Sequence, residues 1–324
     1  MKAWIIREPG GPEQFVLEEI DAPKARSGWT LIRIRAFGLN RSEWFTRNGD
    51  SPSVRFPRIL GIECVGELVD SGGMNLEPGT TVAAIMGGMG REFDGSYAEY
   101  TLVPNTCVFP VETGMPWDRL AALPEMLQTT HGSLHEGLEI DRAESILIRG
   151  GTSSIGMAAL ALAKKEGLRV GTTTRNPTKV NNLKEAGADE VWIDNGKIHE
   201  QIEESIFGLY DRVLELIGTT TLLDSLRCVR KGGIVCMTGI LGGKWTLDDF
   251  HPMGDIPTAV KLTSYSGEAS DLSKDQLEEY LRLIEEGKLV VETGPVFEFE
   301  ELIQAHKLMD TNQAGGKIVV LGKK

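Results

Sequence analysis

Short apolar or alternating runs recur along the first part of the chain: Ala3–Ile6, Phe15–Ile20, Thr30–Ala36, Val65–Val69, Thr81–Met86 and Tyr97–Val103. Turn-forming clusters separate them, among them Pro9-Gly10-Gly11-Pro12, Ser71-Gly72-Gly73 and Glu77-Pro78-Gly79. Runs of this kind, cut at short intervals by Gly and Pro, predict strands of a small barrel or sandwich. The pattern changes near residue 120. Strands at Ser145–Arg149, Arg169–Thr174, Glu190–Ile193, Arg212–Leu216 and Ile234–Thr238 now alternate with helices at Ser154–Lys165, Pro177–Glu185, Ile198–Ile206 and Thr220–Arg230. Such alternation builds a parallel sheet with helices on both faces. The tail predicts two helices, Lys274–Glu286 and Glu300–Met309, and a strand at Lys317–Leu321. The expected class is therefore α/β, with a β domain ahead of a doubly wound one.

Composition agrees and narrows the possible partners. The 324 residues suit two domains of about 150 residues each. Apolar residues at 41% and charged residues at 25% are a globular balance. The net charge of -13 argues against duplex nucleic acid and anionic membrane surfaces, which need concentrated positive charge. No window approaches the ~20 apolar residues of a membrane span. The opening MKAWIIREPGG becomes charged too early for a secretory signal. Cys64, Cys107, Cys228 and Cys236 form no Cys-x-x-Cys pair, so reduced structural thiols in a cytoplasmic protein are expected.

The sharpest local feature is ESILIRGGTSSIGMAALALAKKEG, Glu144–Gly167. A buried strand enters the turn Gly150-Gly151-Thr152-Ser153-Ser154-Ile155-Gly156 and then an Ala-rich helix. Small residues let backbone approach a pyrophosphate, and the first amides of the helix stabilise its charge. Gly150, Ser153, Ser154, Ile155 and Gly156 are thus candidate cofactor residues. Ser153 stands where a middle glycine is common, and its hydroxyl is a candidate phosphate donor. A tight strand-to-helix turn without a ligand is the plainer reading of the same residues. An NAD site usually has Asp or Glu after the second strand, to accept from the ribose 2′-hydroxyl. Here Thr174 is followed by Arg175, with Lys179 four positions on. Cations suit a 2′-phosphate, which points to NADPH.

Metal and nucleophile signals are weak. His131 and His135 share a helical face at a zinc-like spacing, but no Glu follows His131 and no third ligand is recognisable. No metal is expected. There is no Gly-x-Ser-x-Gly elbow. Hydride transfer from a nicotinamide needs no protein nucleophile.

At this point several segments together carry a resemblance: AFGLNRSEWFTRNG (Ala36–Gly49), PRILGIECVGELVDSG (Pro57–Gly72), GSYAEYTLVP (Gly95–Pro104), AALPEMLQTTHGSL (Ala121–Leu134), KEAGADEV (Lys184–Val191), KGGIVCMTG (Lys231–Gly239) and GGKIVVL (Gly315–Leu321). With the phosphate turn, their order resembles the zinc-independent medium-chain dehydrogenases/reductases, close to NADPH:quinone oxidoreductases. The resemblance implies a GroES-like β-barrel domain from 1–121 and 269–324 and a Rossmann domain from 122–268. It implies an active site in the interdomain cleft and a homodimer. Asn40 stands where zinc-using relatives carry a catalytic Cys, and Gly61-Ile62-Glu63 replaces their Gly-His-Glu. By the same resemblance Asn40 lies near the nicotinamide, as the catalytic residue, its amide orienting a substrate carbonyl or the ring. Thr129 lies near the nicotinamide ribose, and Gly239 and Lys317 join the cofactor-facing set.

Departures accompany the match. Phe45 replaces a Tyr, and Asp194 replaces another that helps cover the adenine end. An acid at 194 disfavours a 2′-phosphate unless it pairs with Lys179 or Arg175. The resulting expectation is hydride transfer from NADPH to a quinone or α,β-unsaturated carbonyl, a small molecule, without metal. One rival is an enoyl-thioester reductase, for which Arg41, Arg47, Arg55 and Arg58 would form a basic entry. The other is a non-catalytic NADPH-binding sensor.

Overall fold

The computed structural model describes residues 1–323, and the chain forms two compact units. Unit 1 comprises Met1–Met126, Glu268–Glu285 and the segment from Glu292 onward; unit 2 comprises Leu127–Gly267 and Glu286–Val291. Among the described residues, no helix is long and apolar enough to cross a membrane.

The first strands of unit 1 are β1 (Lys2–Ile6), β2 (Phe15–Glu19), β3 (Trp29–Gly38), β4 (Glu63–Asp70), β5 (Thr81–Ile85), β6 (Tyr100–Pro104) and β7 (Val108–Pro110). Unit 2 contributes β8 (Ser145–Arg149), β9 (Arg169–Thr174), β10 (Glu190–Ile193), β11 (Tyr210–Glu215), β12 (Val229–Met237) and β13 (Lys261–Ser264). The chain then returns to unit 1 with β14 (Thr293–Phe297) and β15 (Lys317–Leu321).

In unit 1 the main sheet runs β14-β15-β3-β4-β5-β7, with β6 also on β3, and β1 and β2 form a separate antiparallel pair. From Trp29 to Ala36 along β3 the even positions Thr30, Ile32, Ile34 and Ala36 are buried while the odd ones between them are half-exposed. That period of two is what a strand with one core face requires. The covered core includes Ile6, Ile32, Phe37, Leu60, Tyr97 and Phe299. The tail strand β15 pairs antiparallel with β3 through Val319–Gly38, Val320–Phe37 and Leu321–Ala36.

Unit 2 follows the other rule. Its sheet is β10-β9-β8-β11-β12-β13, parallel throughout. Every residue of β8 is buried, as expected of a strand covered on both faces. The strand order reverses direction between β8 and β11, the place where open α/β sheets leave a crevice at their carboxyl ends.

Several predicted elements have the observed bounds, including β8, β9, β10, β15 and the helix Ser154–Lys165. The helix expected at Thr220–Arg230 instead stops at Ser225, because Val229 already pairs with Tyr210 at the start of β12. The helix Arg41–Asn48 and the strands β7, β13 and β14 were not anticipated.

Candidate active site

In unit 2, β8 delivers the glycine turn to the carboxyl edge of the sheet. Gly150 has φ +97°, a left-handed conformation that favours glycine. A Cβ on Gly151 would overlap Thr172 Oγ1 at 1.8 Å, and one on Gly156 would meet Gly150 O at 2.5 Å. The turn is therefore pressed against both β9 and the helix it opens. This is a cradle that larger side chains would fill, and it fits a pyrophosphate. Ser154 and Ile155 open the helix Ser154–Lys165, so their amides have no intrahelical partner.

Ser153 has a different job from the one expected of it. Its Oγ donates to Gly150 O (2.8 Å) and accepts from Gly156 N (3.1 Å), making it the N-cap of the helix. Its one hydroxyl hydrogen is engaged, so in this arrangement it does not donate to a phosphate.

At the end of β9, Thr174 Oγ1 accepts from Asn176 N (3.1 Å) and shapes the following turn. Arg175 and Lys179 are exposed, and among the described residues neither pairs with a carboxylate. Asp194, just past β10, pairs with neither of them. It makes a two-pronged ion pair with the fully buried Arg149, Nε–Oδ2 2.8 Å and Nη2–Oδ1 2.9 Å. Gly239 follows β12, donating its amide to Glu215 O (3.1 Å), and a Cβ there would strike Leu216 O at 2.4 Å. Thr129 O accepts from Ser133 Oγ (2.6 Å), which also bonds Thr238 Oγ1 (2.9 Å) beside Gly239. The residues named from the turn, from β9, from β12 and from Thr129 thus border one edge of unit 2.

The two remaining candidates meet in unit 1. Lys317, 3% exposed, lies among Asn40, Glu63 and Glu125. Its ammonium donates to Glu63 Oε1 (2.7 Å), to Glu125 Oε2 (2.7 Å) and to Asn40 Oδ1. Those three bonds use all three ammonium hydrogens, so Lys317 holds this cluster rather than a cofactor. Asn40 Nδ2 donates to Glu63 Oε1 (3.1 Å) and Glu43 Oε1 (3.3 Å). Both amide hydrogens are engaged, and the expected donation from Asn40 to a substrate carbonyl is not open to it here. Its Oδ1 accepts from Lys317, and its side chain faces Glu43 N in the capping box of the helix Arg41–Asn48. Glu43 also accepts from Asn40 N (3.1 Å) and Ile62 N (3.1 Å). Burial pushes the Glu43 carboxyl up to about 7, against the opposing pull of Lys317. Burial likewise raises Glu63. Burial alone would lower the Lys317 ammonium, but Glu125 and Glu63 more than compensate and raise it.

Glu43, Glu63, Glu125 and Arg149 were missed from sequence. The available signal was a charge inside an apolar strand-like run, as in Gly61-Ile62-Glu63-Cys64-Val65 and Ile146-Leu147-Ile148-Arg149.

The basic entry expected from four arginines is reduced to one. Arg47 is buried and paired with Asp310 (2.7 Å), with its Nη1 3.5 Å from His306 Nδ1. Arg41 bonds Met309 O (3.3 Å) and Asn312 and covers the Trp44 ring. Arg58 pairs with Asp94 (3.0 Å), and only Arg55 is exposed. The Tyr97 hydroxyl lies 3.1 Å from His306 Nε2 in the core, and burial raises its pKa. The His131 and His135 rings lie 4.3 Å apart, tilted 38° to one another. Among the described residues, no three His, Cys, Asp or Glu side chains are grouped to hold a metal ion.

A largely antiparallel β unit and a parallel sheet with a glycine turn at its carboxyl edge define a two-unit dehydrogenase/reductase architecture. Residues 26–113 match the family described as alcohol dehydrogenase GroES-like domain, and 186–320 the family described as zinc-binding dehydrogenase. A quinone oxidoreductase of Pseudomonas aeruginosa is 28% identical, over 96% of this chain and 97% of its own. An acryloyl-coenzyme A reductase of Sulfurisphaera tokodaii is 24% identical, over 99% of each. The structure of Escherichia coli quinone oxidoreductase complexed with NADPH superposes with a TM-score of 0.87 at 19% identity, over 99% of this chain and 100% of that one. The chain belongs to the zinc-independent, quinone oxidoreductase-like medium-chain dehydrogenases/reductases, an oxidoreductase family with a GroES-like domain and a Rossmann domain.

Proposed function

We propose that the protein is an NADPH-dependent reductase that passes hydride to a quinone or an α,β-unsaturated carbonyl. One observation carries the cofactor choice: Arg175 and Lys179 stand exposed after β9 while the nearby acid, Asp194, is claimed by Arg149. The 28% identical relative bears the name quinone oxidoreductase, which supports the acceptor class.

NADPH, when bound, supplies the hydride. The chain supplies the rest. The amides of Ser154 and Ile155 and the close-packed Gly150, Gly151 and Gly156 hold the pyrophosphate. Arg175 and Lys179 neutralise the 2′-phosphate, with Thr174 fixing the turn that carries Arg175. Thr129 and Gly239 border the same edge and line the nicotinamide half. Asn40, fixed by Lys317, Glu43 and Glu63, helps orient the reactants. It does not act as an oxyanion donor, because both its amide hydrogens are engaged. Weak electrophilic help suits a conjugated acceptor, which spreads the developing charge itself; a simple carbonyl demands stronger donors.

The test follows NADPH and NADH consumption with one para-quinone and one linear enone, each in the presence of a strong chelator. Turnover selective for NADPH and indifferent to the chelator is expected. NADH used as well as NADPH overturns the cofactor assignment, and loss of activity on chelation overturns the metal-free one. Absence of turnover with either acceptor turns attention to thioesters, the substrate class named for the Sulfurisphaera relative.

A further inference from the structure

Asp194 poses a problem for a 2′-phosphate site. It follows β10, whose Ile193 pairs with Thr174, and its amide donates to Thr174 O (2.9 Å). It therefore sits one strand away from the Thr174–Arg175 step. Left to itself, a carboxylate there would either repel a phosphate dianion or take Arg175 or Lys179 as its own partner. Arg149, the last residue of β8, prevents both. Its fork grips Asp194 with two bonds, and its Nη1 bonds Asp224 Oδ2 (2.7 Å), Ser225 Oγ (3.0 Å) and Thr221 O (3.2 Å). Gly196 N adds a bond to Asp194 Oδ1 (2.8 Å). Although burial alone would raise it, the Arg149 bonds hold the Asp194 carboxyl below its usual range, so it is charged and needs a permanent counter-ion.

We propose that Arg149 is a specificity-determining residue: by holding Asp194 it leaves Arg175 and Lys179 available for the 2′-phosphate. It touches no cofactor and acts through Asp194. The inference rests on the NADPH reading above. The planar guanidinium grips Asp194 with two parallel bonds while its third nitrogen reaches Asp224; a lysine ammonium, a point charge, has no such fork to hold Asp194 with.

The experiment measures Kd for NADPH and NADH by direct titration on wild type, Arg149→Lys, Asp194→Asn and the double variant. Arg149→Lys is expected to weaken NADPH about tenfold and NADH less than about threefold. Adding Asp194→Asn to that background restores NADPH binding, since the freed carboxylate is gone. A general structural lesion moves both cofactors together and is not repaired this way. Asp194→Asn alone is isosteric and provides the test if Arg149→Lys does not fold. It is expected to leave NADPH Kd within about threefold, because the carboxylate is already neutralised. Tightening of about tenfold in that single variant, or an unchanged NADPH-to-NADH ratio in a folded Arg149→Lys, overturns the proposal. Equal affinities of the wild type for both cofactors overturn the underlying NADPH reading instead.

Discussion

Each unit buries one cation among three carboxylates, and the two clusters behave differently. In unit 2, Arg149 serves Asp194 and Asp224 directly and faces Glu215, which accepts from Ile217 N (2.7 Å), Gly218 N (2.9 Å), Thr221 Oγ1 (3.0 Å) and Ser225 Oγ. In unit 1, Lys317 divides its three hydrogens among two carboxylates and a carboxamide, and Glu43 receives none of them. Burial opposes ionisation in both places. Bonds from Arg149 reverse that effect for Asp194, and those from Ile198 N, His199 and Arg149 for Asp224, so both acids are held below their usual range. Nothing reverses it for Glu43. The five-donor guanidinium fixes charge on the two acids it bonds, though not on Glu215, which burial raises, whereas the three-donor ammonium shared with an amide leaves in Glu43 an acid that titrates near neutrality.

Removing either cation is the harshest way to break this comparison. Lys317→Met leaves buried carboxylates without a counter-charge and is expected to cost about 3–5 kcal/mol at pH 8, read from the shift in denaturant midpoint. The loss should shrink toward pH 5, as Glu43 and Glu63 take up protons. An equal loss at both pH values would show that their protonation plays no part.

A smaller effect separates the clusters by sign. Glu43 has a raised folded pKa, so its stabilising proton is fully present below the unfolded value and lost as pH rises through about 7. Glu43→Gln lacks that titration, so relative to wild type it should gain about 2 kcal/mol between pH 5 and pH 8. Asp194 and Asp224 have depressed folded pKa values. Their contribution is present above the unfolded carboxylate value and is lost only as pH falls below about 4. Asp224→Asn should accordingly flatten the acid limb and leave the slope between pH 5 and pH 8 unchanged. A pH-independent Glu43→Gln difference sinks the distinction.

The parts of the molecule that were legible are those written in neighbouring residues. The strand β8, its glycine turn and the helix Ser154–Lys165 form one continuous segment whose periodicity and small residues are local properties, and their predicted bounds are the observed ones. The tail strand β15 was equally visible as an apolar run. The Lys317 cluster was not, because Lys317 meets Asn40 from 277 positions away and Glu125 from 192. No spacing rule links residues brought together by strand pairing. Hydroxyl and amide roles were also out of reach: Ser153 and Asn40 were recognised as residues of interest, but which of their hydrogens remain available depends on neighbours that only the folded chain supplies. Likewise Asp194 was seen as an obstacle to a 2′-phosphate, yet its partner Arg149 was hidden inside a strand that reads as plain hydrophobic core.

The smallest expected effect concerns Ser153, and it separates two roles that the sequence alone runs together. As N-cap it satisfies Gly156 N and braces Gly150 O, so Ser153→Ala should cost about 1 kcal/mol of stability. As a phosphate donor it would also contribute a charge-assisted bond, and its loss would weaken NADPH about tenfold or more. The engaged hydroxyl favours the first role. The expected outcome is a lowered denaturant midpoint with NADPH Kd changed less than about threefold. If affinity falls tenfold and the midpoint holds, the hydroxyl must leave Gly150 O when the cofactor binds, and the cap must be remade by the ligand.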